Sequence, residues 1–546
     1  MLKKHPKGLM VLFFTEMWER FGYYLMFGIF LLYMTDTIKG GMGFSRAKAA
    51  DIFGTYIAFV YFTPFLGGLL ADRILGCRKA VILGGSLFSI GYFILAIPGE
   101  TAMWIALFLI IMGNGFFKPN ISTLVGNLYG EDKFKPLRDE GYLIFYMGIN
   151  IGAFICNFVA AYLRNHYGWG YAFIAAGIGM IIGIIWLLSG QKQIKHADVI
   201  KPIKPEDMPL SKILRIVFLP LFVFGTIGWF IPGNIFGTDS NDAFIFACIP
   251  LTLYYISLWI RASKKDRSPL AALFSVFGVV IIFWAIFHQN GTALTIWAES
   301  YTDRSIPQTI KPVTKVFGMI QEVDTSPQEV PKYDSHNRPV IDEDGNVVTE
   351  MGPHPYFNNL DKSRWPDDGQ SLELISTEIF QSINPFFIIL FTPLIIGFFT
   401  FLRKRKKEPT TPTKIAWGLL ITSFSTMIMI AAVFVSHNGL VKSSAWWLIG
   451  CYAAITVGEL CLSPMGLSLV SKLSPPRLTA LMMGGWFVAT SMGNKLSGVI
   501  GGLWDTFHYK HYVFLINFIG AIVAATALFL MLKWINRILL EHTSEE

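Results

Sequence analysis

Ionisable side chains inside long apolar runs are few in this chain, and their types and spacing suggest charge-pair and proton chemistry. In EMWERFGYY, Glu16, Glu19, Arg20, Tyr23 and Tyr24 follow closely on one another. At about 100° per helical residue, Glu16, Glu19, Arg20 and Tyr23 share one face within an arc of about 100°. Glu16 and Arg20 also have the i, i+4 spacing of a helical ion pair. Lys118 stands alone in GNGFFKPNISTLVG beside Asn114 and Asn120, and Glu459 stands in GELCLSPMGLS. A charge at a bilayer centre costs about 2.5–3.5 kcal/mol on insertion scales, so those retained are expected to face a polar cavity or a partner. Glu459 is the candidate partner of Lys118, and a pair that forms in one state and breaks in another would serve as a gate.

Polar aromatics and amides extend the inventory: Tyr61, Tyr142, Tyr146 and Asn150, then Trp284, His288, Gln289, Asn290, Gln381, Asn384, Trp486 and Asn494. Singly, each reads as an interface anchor or an interhelical hydrogen bond. Together they describe a water-accessible chamber with both charge signs, which suits a zwitterion. Histidine ordinarily titrates near pH 6.5, where a proton gradient operates. His288 reads either as a proton carrier or as a neutral ring hydrogen-bonded to Gln289 or a backbone carbonyl. No nucleophile–base pair or metal-ligand spacing is evident, so an enzyme is not expected.

These residues must be positioned by helices that cross a membrane. Of 546 residues, 53% are hydrophobic and 15% charged, well below the quarter or so of charged residues that wets a globular surface. Nucleic-acid binding, disorder and disulfide scaffolds are excluded. Cys77, Cys156, Cys248, Cys451 and Cys461 show no CxxC or CxxH spacing. Apolar runs long enough to span, roughly 20 residues, fall near 8–36, 50–71, 80–98, 102–125, 141–163, 170–189, 212–232, 243–261, 269–298, 378–402, 414–436, 444–465, 478–503 and 510–533. The first contains Glu16, Glu19 and Arg20 and is too long for a signal peptide.

With the N-terminus inside, Lys and Arg concentrate in the inner connections, as the positive-inside rule requires. These are Arg73, Arg78 and Lys79; Lys133, Lys135 and Arg138; Lys192, Lys195, Lys201 and Lys204; Arg261, Lys264, Lys265 and Arg267; Arg403 to Lys407; and Lys472 and Arg477. Short outer loops carry only Lys39, Arg46, Lys48, Arg164, Lys442 and Lys510. Both termini are therefore expected in the cytoplasm. The stretch 299–377, rich in Pro, Asp, Asn and Gly, is expected outside, with a small hairpin at the DEDG turn of 334–348 and no catalytic role.

At these motifs the chain resembles the proton-dependent oligopeptide transporter (POT/PTR) family of the major facilitator superfamily, bacterial type. EMWERFGYY fits its ExxERFxYY signature, FYMGINIGAF (145–154) its fifth-helix motif and GELCLSPMGLS its tenth-helix motif, while GGLLADRILGCRK (67–79) resembles the superfamily loop with Asp72 and Arg73 in place. The match covers essentially the whole membrane portion. The resemblance implies an all-α membrane protein with the major facilitator fold: two six-helix bundles, at 1–190 and 268–546, and a linker with two extra transmembrane helices at 191–267 that is peripheral to transport. It implies import of di- and tripeptides with protons by alternating access, no cofactor, and a monomer in a bacterial inner membrane.

By position, Glu16, Glu19, Arg20 and Lys118 match residues tied to proton coupling, with Arg20 and Lys118 also holding the peptide carboxylate. Glu459 matches the acid that reads the amino terminus, and Tyr23, Tyr24, Tyr61, Asn150, Asn384 and Trp486 match pocket-lining positions. Two departures stand out: Phe27 occupies a basic position and His288 an acidic one, which in relatives often pair on the outer side. Gly54 replaces a histidine found in mammalian members. Alternatives are transport of nitrate or another small anion or zwitterion, and a peptide sensor that does not transport.

Overall fold

The computed structural model describes residues 4–198, 210–334, 338–475 and 479–543; Lys201, Lys204 and Arg477 lie outside them, as do the side chains of Asp72, Arg73 and Arg138. Fourteen helices of the described residues build the bundle. Six come first: α1 (Gly8–Thr35), α2 (Arg46–Leu70), α3 (Cys77–Leu95), α4 (Glu100–Leu128), α5 (Arg138–Tyr167) and α6 (Trp169–Ser189). A hairpin of α7 (Leu219–Trp229) and α8 (Asp239–Arg261) follows. Six more close the chain: α9 (Lys264–Phe287), α10 (Ile383–Lys404), α11 (Thr411–Val435), α12 (Ala445–Leu473), α13 (Thr479–Gly502) and α14 (His511–Thr543).

Eleven of these segments are long and apolar enough to cross a bilayer unaided. The other three are α1, α13 and the short α7. Helices α1 and α13 hold their charged or hydroxyl-bearing residues inside the bundle, where Glu16, Arg20, Thr490, Ser491 and Lys495 are buried, so lipid does not demand an apolar surface of them.

Helices α1–α6 pack on one another as one group and α9–α14 as a second. The groups meet along α2 with α13 and α5 with α10. Alternate helices run in opposite directions, so one end of the bundle carries both termini and the other the 299–377 excursion; these are called the terminal end and the loop end. One apolar cluster runs from Phe53 and Tyr56 of the first group into Trp297, Leu448, Trp504 and Phe514 of the second, all at the loop end. The remaining core of the second group, including Leu270, Leu419, Leu469 and Ile535, is a separate cluster. The groups therefore share a core at the loop end and part toward the terminal end.

The run expected as one helix over 269–298 is broken. Helix α9 ends at Phe287, a 3-10 turn spans His288–Gly291, and a new helix covers Ala293–Ser300. The break is tolerated because the freed Asn290 carbonyl accepts from Gln381 Nε2 at 2.5 Å and Thr295 Oγ1 at 2.6 Å.

The 299–377 excursion is folded. Ile320–Asp324 pairs antiparallel with Ser371–Ile375, and Gln328–Pro331 with Thr349–Gly352, around a small core of Val323, Tyr356, Phe357, Leu360 and Leu374. The hairpin expected at DEDG forms: Asp342 N–H bonds Asn346 O at 2.9 Å, and Gly345 turns the chain with φ +78°. Its tip docks on the α1–α2 connection, where Val347 N–H donates to Gly43 O (2.9 Å) and Ser45 N–H to Gly345 O (3.1 Å). An excursion leaving the second group thus rests on the first.

Candidate functional site

A cavity of about 820 Å³ lies between the two groups. Its walls come from α1, α2, α4 and α5 on one side and α9, α10, α12 and α13 on the other, with the turn after α9 as part of the roof. Of the residues singled out in the sequence, Glu16, Arg20, Tyr23, Tyr24, Tyr61, Lys118, Tyr142, Tyr146, Asn150, Trp284, His288, Asn290, Asn384, Glu459 and Trp486 line it. Glu19 does not. It is 1% exposed and lies behind Arg20.

Helix α1 places the first charge group. Arg20 grips Glu19 with two hydrogen bonds, Nη2 to Oε1 at 2.9 Å and Nε to the other carboxylate oxygen. It also pairs through Nε with Glu16 at 3.2 Å, the expected i, i+4 contact. Its guanidinium carbon stands 5.0 Å from the Tyr23 ring centroid. Arginine's fixed fork of donors suits such bidentate binding. The face read from the helical period is therefore a connected cluster with Arg20 between two acids.

Lys118 projects from α4 with its Nζ 4.1 Å from the centroid of the Tyr61 ring, a cation–π contact. Across the cavity, Glu459 on α12 accepts from Asn384 Nδ2 at 3.1 Å, and the same amide donates to Thr456 Oγ1 at 2.9 Å. The expected Lys118–Glu459 ion pair is absent from the ion pairs among the described residues. The two groups stand on opposite walls, each with a different local partner. Asn150 spends its amide N–H on the Tyr146 carbonyl (2.9 Å), and Trp486 packs edge to face near Phe277, with centroids 6.4 Å apart.

The lining descends from Phe27, Trp284, Phe287 and His288 at mid-bundle to Ser122, Thr123, Gly126 and Asn127 on the last turns of α4 and Tyr142 near the start of α5. The chamber thus extends toward the terminal end and is roofed toward the loop end. His288 sits in the roof, 5% exposed, between the rings of Tyr61 (5.8 Å), Trp284 (5.4 Å) and Phe287 (5.4 Å). Its Nδ1 has no hydrogen-bond partner among the described residues. Gln289 is not that partner, since its amide bonds the carbonyls of Ala285 (3.1 Å) and Ser497 (3.2 Å).

Among the described residues, three ion pairs that the sequence reading missed join the two groups at the loop end. Lys495 on α13 reaches Asp51 on α2 at 2.6 Å, Arg164 on α5 reaches Glu378 ahead of α10 at 3.0 Å, and Arg46 reaches Asp505 at 3.2 Å. Arg46 and Arg164 had the look of loop charges, yet Arg164 is buried. Beside Lys495, Gly54 and Gly498 touch. A Cβ on Gly54 would come within 2.6 Å of the Gly498 Cα, so no histidine fits there.

A family model described as the POT family matches residues 78–323 and 370–522. The chain is 30% identical over 534 residues to an uncharacterized transporter, YclF, of Bacillus subtilis (strain 168), covering 96% of this chain and 94% of that protein. It is also 30% identical to a di-/tripeptide transporter of Lactococcus lactis subsp. cremoris, over 95% and 93% of the two chains. Among solved structures, a POT family transporter in complex with 5-aminolevulinic acid superposes with a TM-score of 0.76 at 26% identity, covering 98% of this chain and 97% of that one. The chain belongs to the POT family, and it is a multi-pass membrane transporter with the major facilitator fold, not an enzyme.

Proposed function

We propose that this chain is a symporter that imports di- and tripeptides with protons by alternating access, and that the structure is its inward-facing state. One observation carries the reading: a single cavity offers cations, Arg20 and Lys118, on one wall and a carboxylate, Glu459, on the other. A peptide zwitterion bridging the walls would set its carboxylate against the first pair and its ammonium against Glu459. Tyr23, Tyr24, Tyr61, Asn150, Asn384 and Trp486 would hold the backbone and accommodate side chains. Side chains read this loosely give broad specificity.

Charge counting supplies the proton. Ionised, Glu16, Glu19 and Glu459 carry three negative charges against two positive ones on Arg20 and Lys118, with His288 neutral. A zwitterion adds none. One proton neutralises the set and lets it be buried as the cavity closes, because an uncompensated charge in a closed site is costly. Protonation at Glu16 or Glu19 would also loosen the grip on Arg20 and free it for the peptide. Lys118 and Glu459 would pair when the cavity empties and closes. We propose His288, whose Nδ1 has no partner among the described residues, as a further proton carrier at the roof, and His288→Gln is expected to flatten the dependence of uptake on external pH.

The terminal end carries the basic connections, including Arg78, Lys79, Lys133, Lys135, Lys192 and Lys195, which supports a cytoplasmic placement of both termini in a bacterial inner membrane. We keep the division into 1–190, 191–267 and 268–546 as part of this proposal; the packing of α1–α6 and of α9–α14 as two groups supports it. Proteoliposomes holding the purified protein should accumulate a labelled dipeptide under an imposed inward proton gradient, with competition by di- and tripeptides and none by nitrate. Lys118→Ala should lose accumulation and keep peptide counterflow. Concentrative uptake by that variant, or competition by nitrate alone, would overturn the proposal.

A further inference from the structure

The inserted hairpin α7–α8 sits outside both packing groups, yet one of its side chains reaches the seam between them. At the start of α8, Ser240 Oγ donates to Asp51 Oδ2 at 2.6 Å. Lys495 Nζ donates to Asp51 Oδ1 (2.6 Å), Thr55 Oγ1 (2.7 Å) and the same Ser240 Oγ (2.8 Å). An ammonium has three N–H donors, and all three are used. Lys495 is 3% exposed. A buried ion pair is stable only when its remaining donors and acceptors are also satisfied. Here a serine from outside both groups supplies that last contact.

The position of Ser240 is built, not incidental. Thr238 caps α8 by accepting from Asn241 N–H at 3.2 Å. The fully buried Asp242 accepts from the backbone N–H of Ile235 and Phe236, both at 2.7 Å, which folds the α7–α8 turn back and aims the first turn of α8 at α2. Farther along α8, Tyr255 Oη donates to the Leu481 carbonyl of α13 at 3.0 Å. The hairpin is thus fastened to α13 at two levels, and the bond to Asp51 is its polar tie to α2, beside a ring contact of Phe244 with Phe59 (centroids 6.4 Å apart).

We propose that Ser240 is a positioning residue of the loop-end gate. It holds the Asp51 carboxylate and Lys495 ammonium in register, and through it the inserted hairpin biases the carrier toward the state closed at the loop end. The inference rests on the alternating-access reading, in which α2 and α13 must separate at this end. The node Asp51–Thr55–Lys495–Ser240 lies beside the Gly54–Gly498 contact, where the two helices pack backbone to backbone, so opening breaks it.

The test uses the full-length protein in liposomes, with Cys248 replaced by Ser and spin labels on two exposed loop-end positions, Tyr171 in the first group and Leu440 in the second. Distance distributions report the closed and open populations. Losing one hydrogen bond to a charged group should raise the open-to-closed ratio about tenfold in Ser240→Ala. Ser240→Thr, which keeps a hydroxyl, should return the ratio toward the parent value. Asp51→Asn serves as the gate control. If Asp51→Asn shifts the ratio and Ser240→Ala does not, the role of Ser240 is refuted and the gate stands. If neither substitution nor a saturating dipeptide moves the distances, the alternating-access reading itself fails. A shift in Ser240→Ala that Ser240→Thr leaves uncorrected would also overturn the proposal, since a hydroxyl would then not be the cause.

Discussion

Phe27 of α1 and His288 after α9 meet edge to face across the two helix groups, with ring centroids 6.2 Å apart and planes at 72°. Phe53 joins from α2, its ring centroid 5.1 Å from that of Phe27. At these two positions the resemblance implies a basic and an acidic residue, and here an aromatic seam stands in place of such a pair. The ion pairs of the loop end stand elsewhere, at Asp51–Lys495, Arg46–Asp505 and Arg164–Glu378. A gate of this kind is held by packing near the substrate and by ion pairs farther from it.

The seam should therefore respond to volume. Phe27→Ala removes a buried ring and is expected to cost about 3–5 kcal/mol, the usual range for a core Phe→Ala change, whereas Phe27→Leu should cost much less. Thermal denaturation in detergent, read beside steady-state dipeptide accumulation, checks this. An alanine variant as stable and as active as the parent would show that the seam bears no load.

Glu459→Gln should separate binding from folding. Asn384 can still donate to the new amide oxygen, so the protein should melt near the parent temperature. The peptide ammonium would lose a charged acceptor worth about 1.5–3 kcal/mol, raising KM at least tenfold for dipeptides with a free amino terminus. An N-acetylated dipeptide, which has no ammonium to lose, should show no such rise in KM. Equal KM values for the free peptide would remove Glu459 from amine recognition.

Arg164→Ala leaves Glu378, fully buried, without its cation. Breaking one side of a buried pair typically costs about 3–5 kcal/mol, while neutralising both sides costs far less. The double variant Arg164→Met with Glu378→Gln should recover most of the lost melting temperature. If the single and double variants are equally unstable, packing rather than the orphaned charge is responsible.

The helices were legible because lipid forces long apolar runs, and the α1 cluster was legible because the helical period sets Glu16, Arg20 and Tyr23 on one face. Lys495 was equally visible, an ammonium well inside the run 478–503, and the criterion that found Lys118 applies to it unchanged. Glu378 and Arg164 were harder. They stand at helix ends, where a sequence places charges in water, and only the folded 299–377 segment and the α5–α10 contact bury them. The break at His288–Gly291 depends on Gln381, far away in sequence, satisfying a freed carbonyl. Which end of the cavity is closed is a property of one conformational state, and no residue pattern encodes it.

The loop domain should sense acid through His354. Its Nδ1 accepts the Tyr356 N–H at 3.1 Å. Burial, followed by the positive charge of Arg304, Lys39, Lys442 and Arg164, pushes its pKa from the ordinary 6.5 down to about 3. Folding that favours the neutral ring contributes stability in full above pH 6.5, and this is lost progressively as pH falls from 6.5 toward 3. An acidified exterior, the condition that would drive symport, should therefore loosen the domain seated on the loop end. Amide hydrogen exchange at Tyr356 and Phe357, corrected for the intrinsic pH dependence of exchange, should show falling protection below pH 6.5 in the parent. It should stay nearly level in His354→Asn, whose side-chain oxygen can accept the same N–H without titrating. Matching profiles for the two proteins would show that His354 is not the sensor.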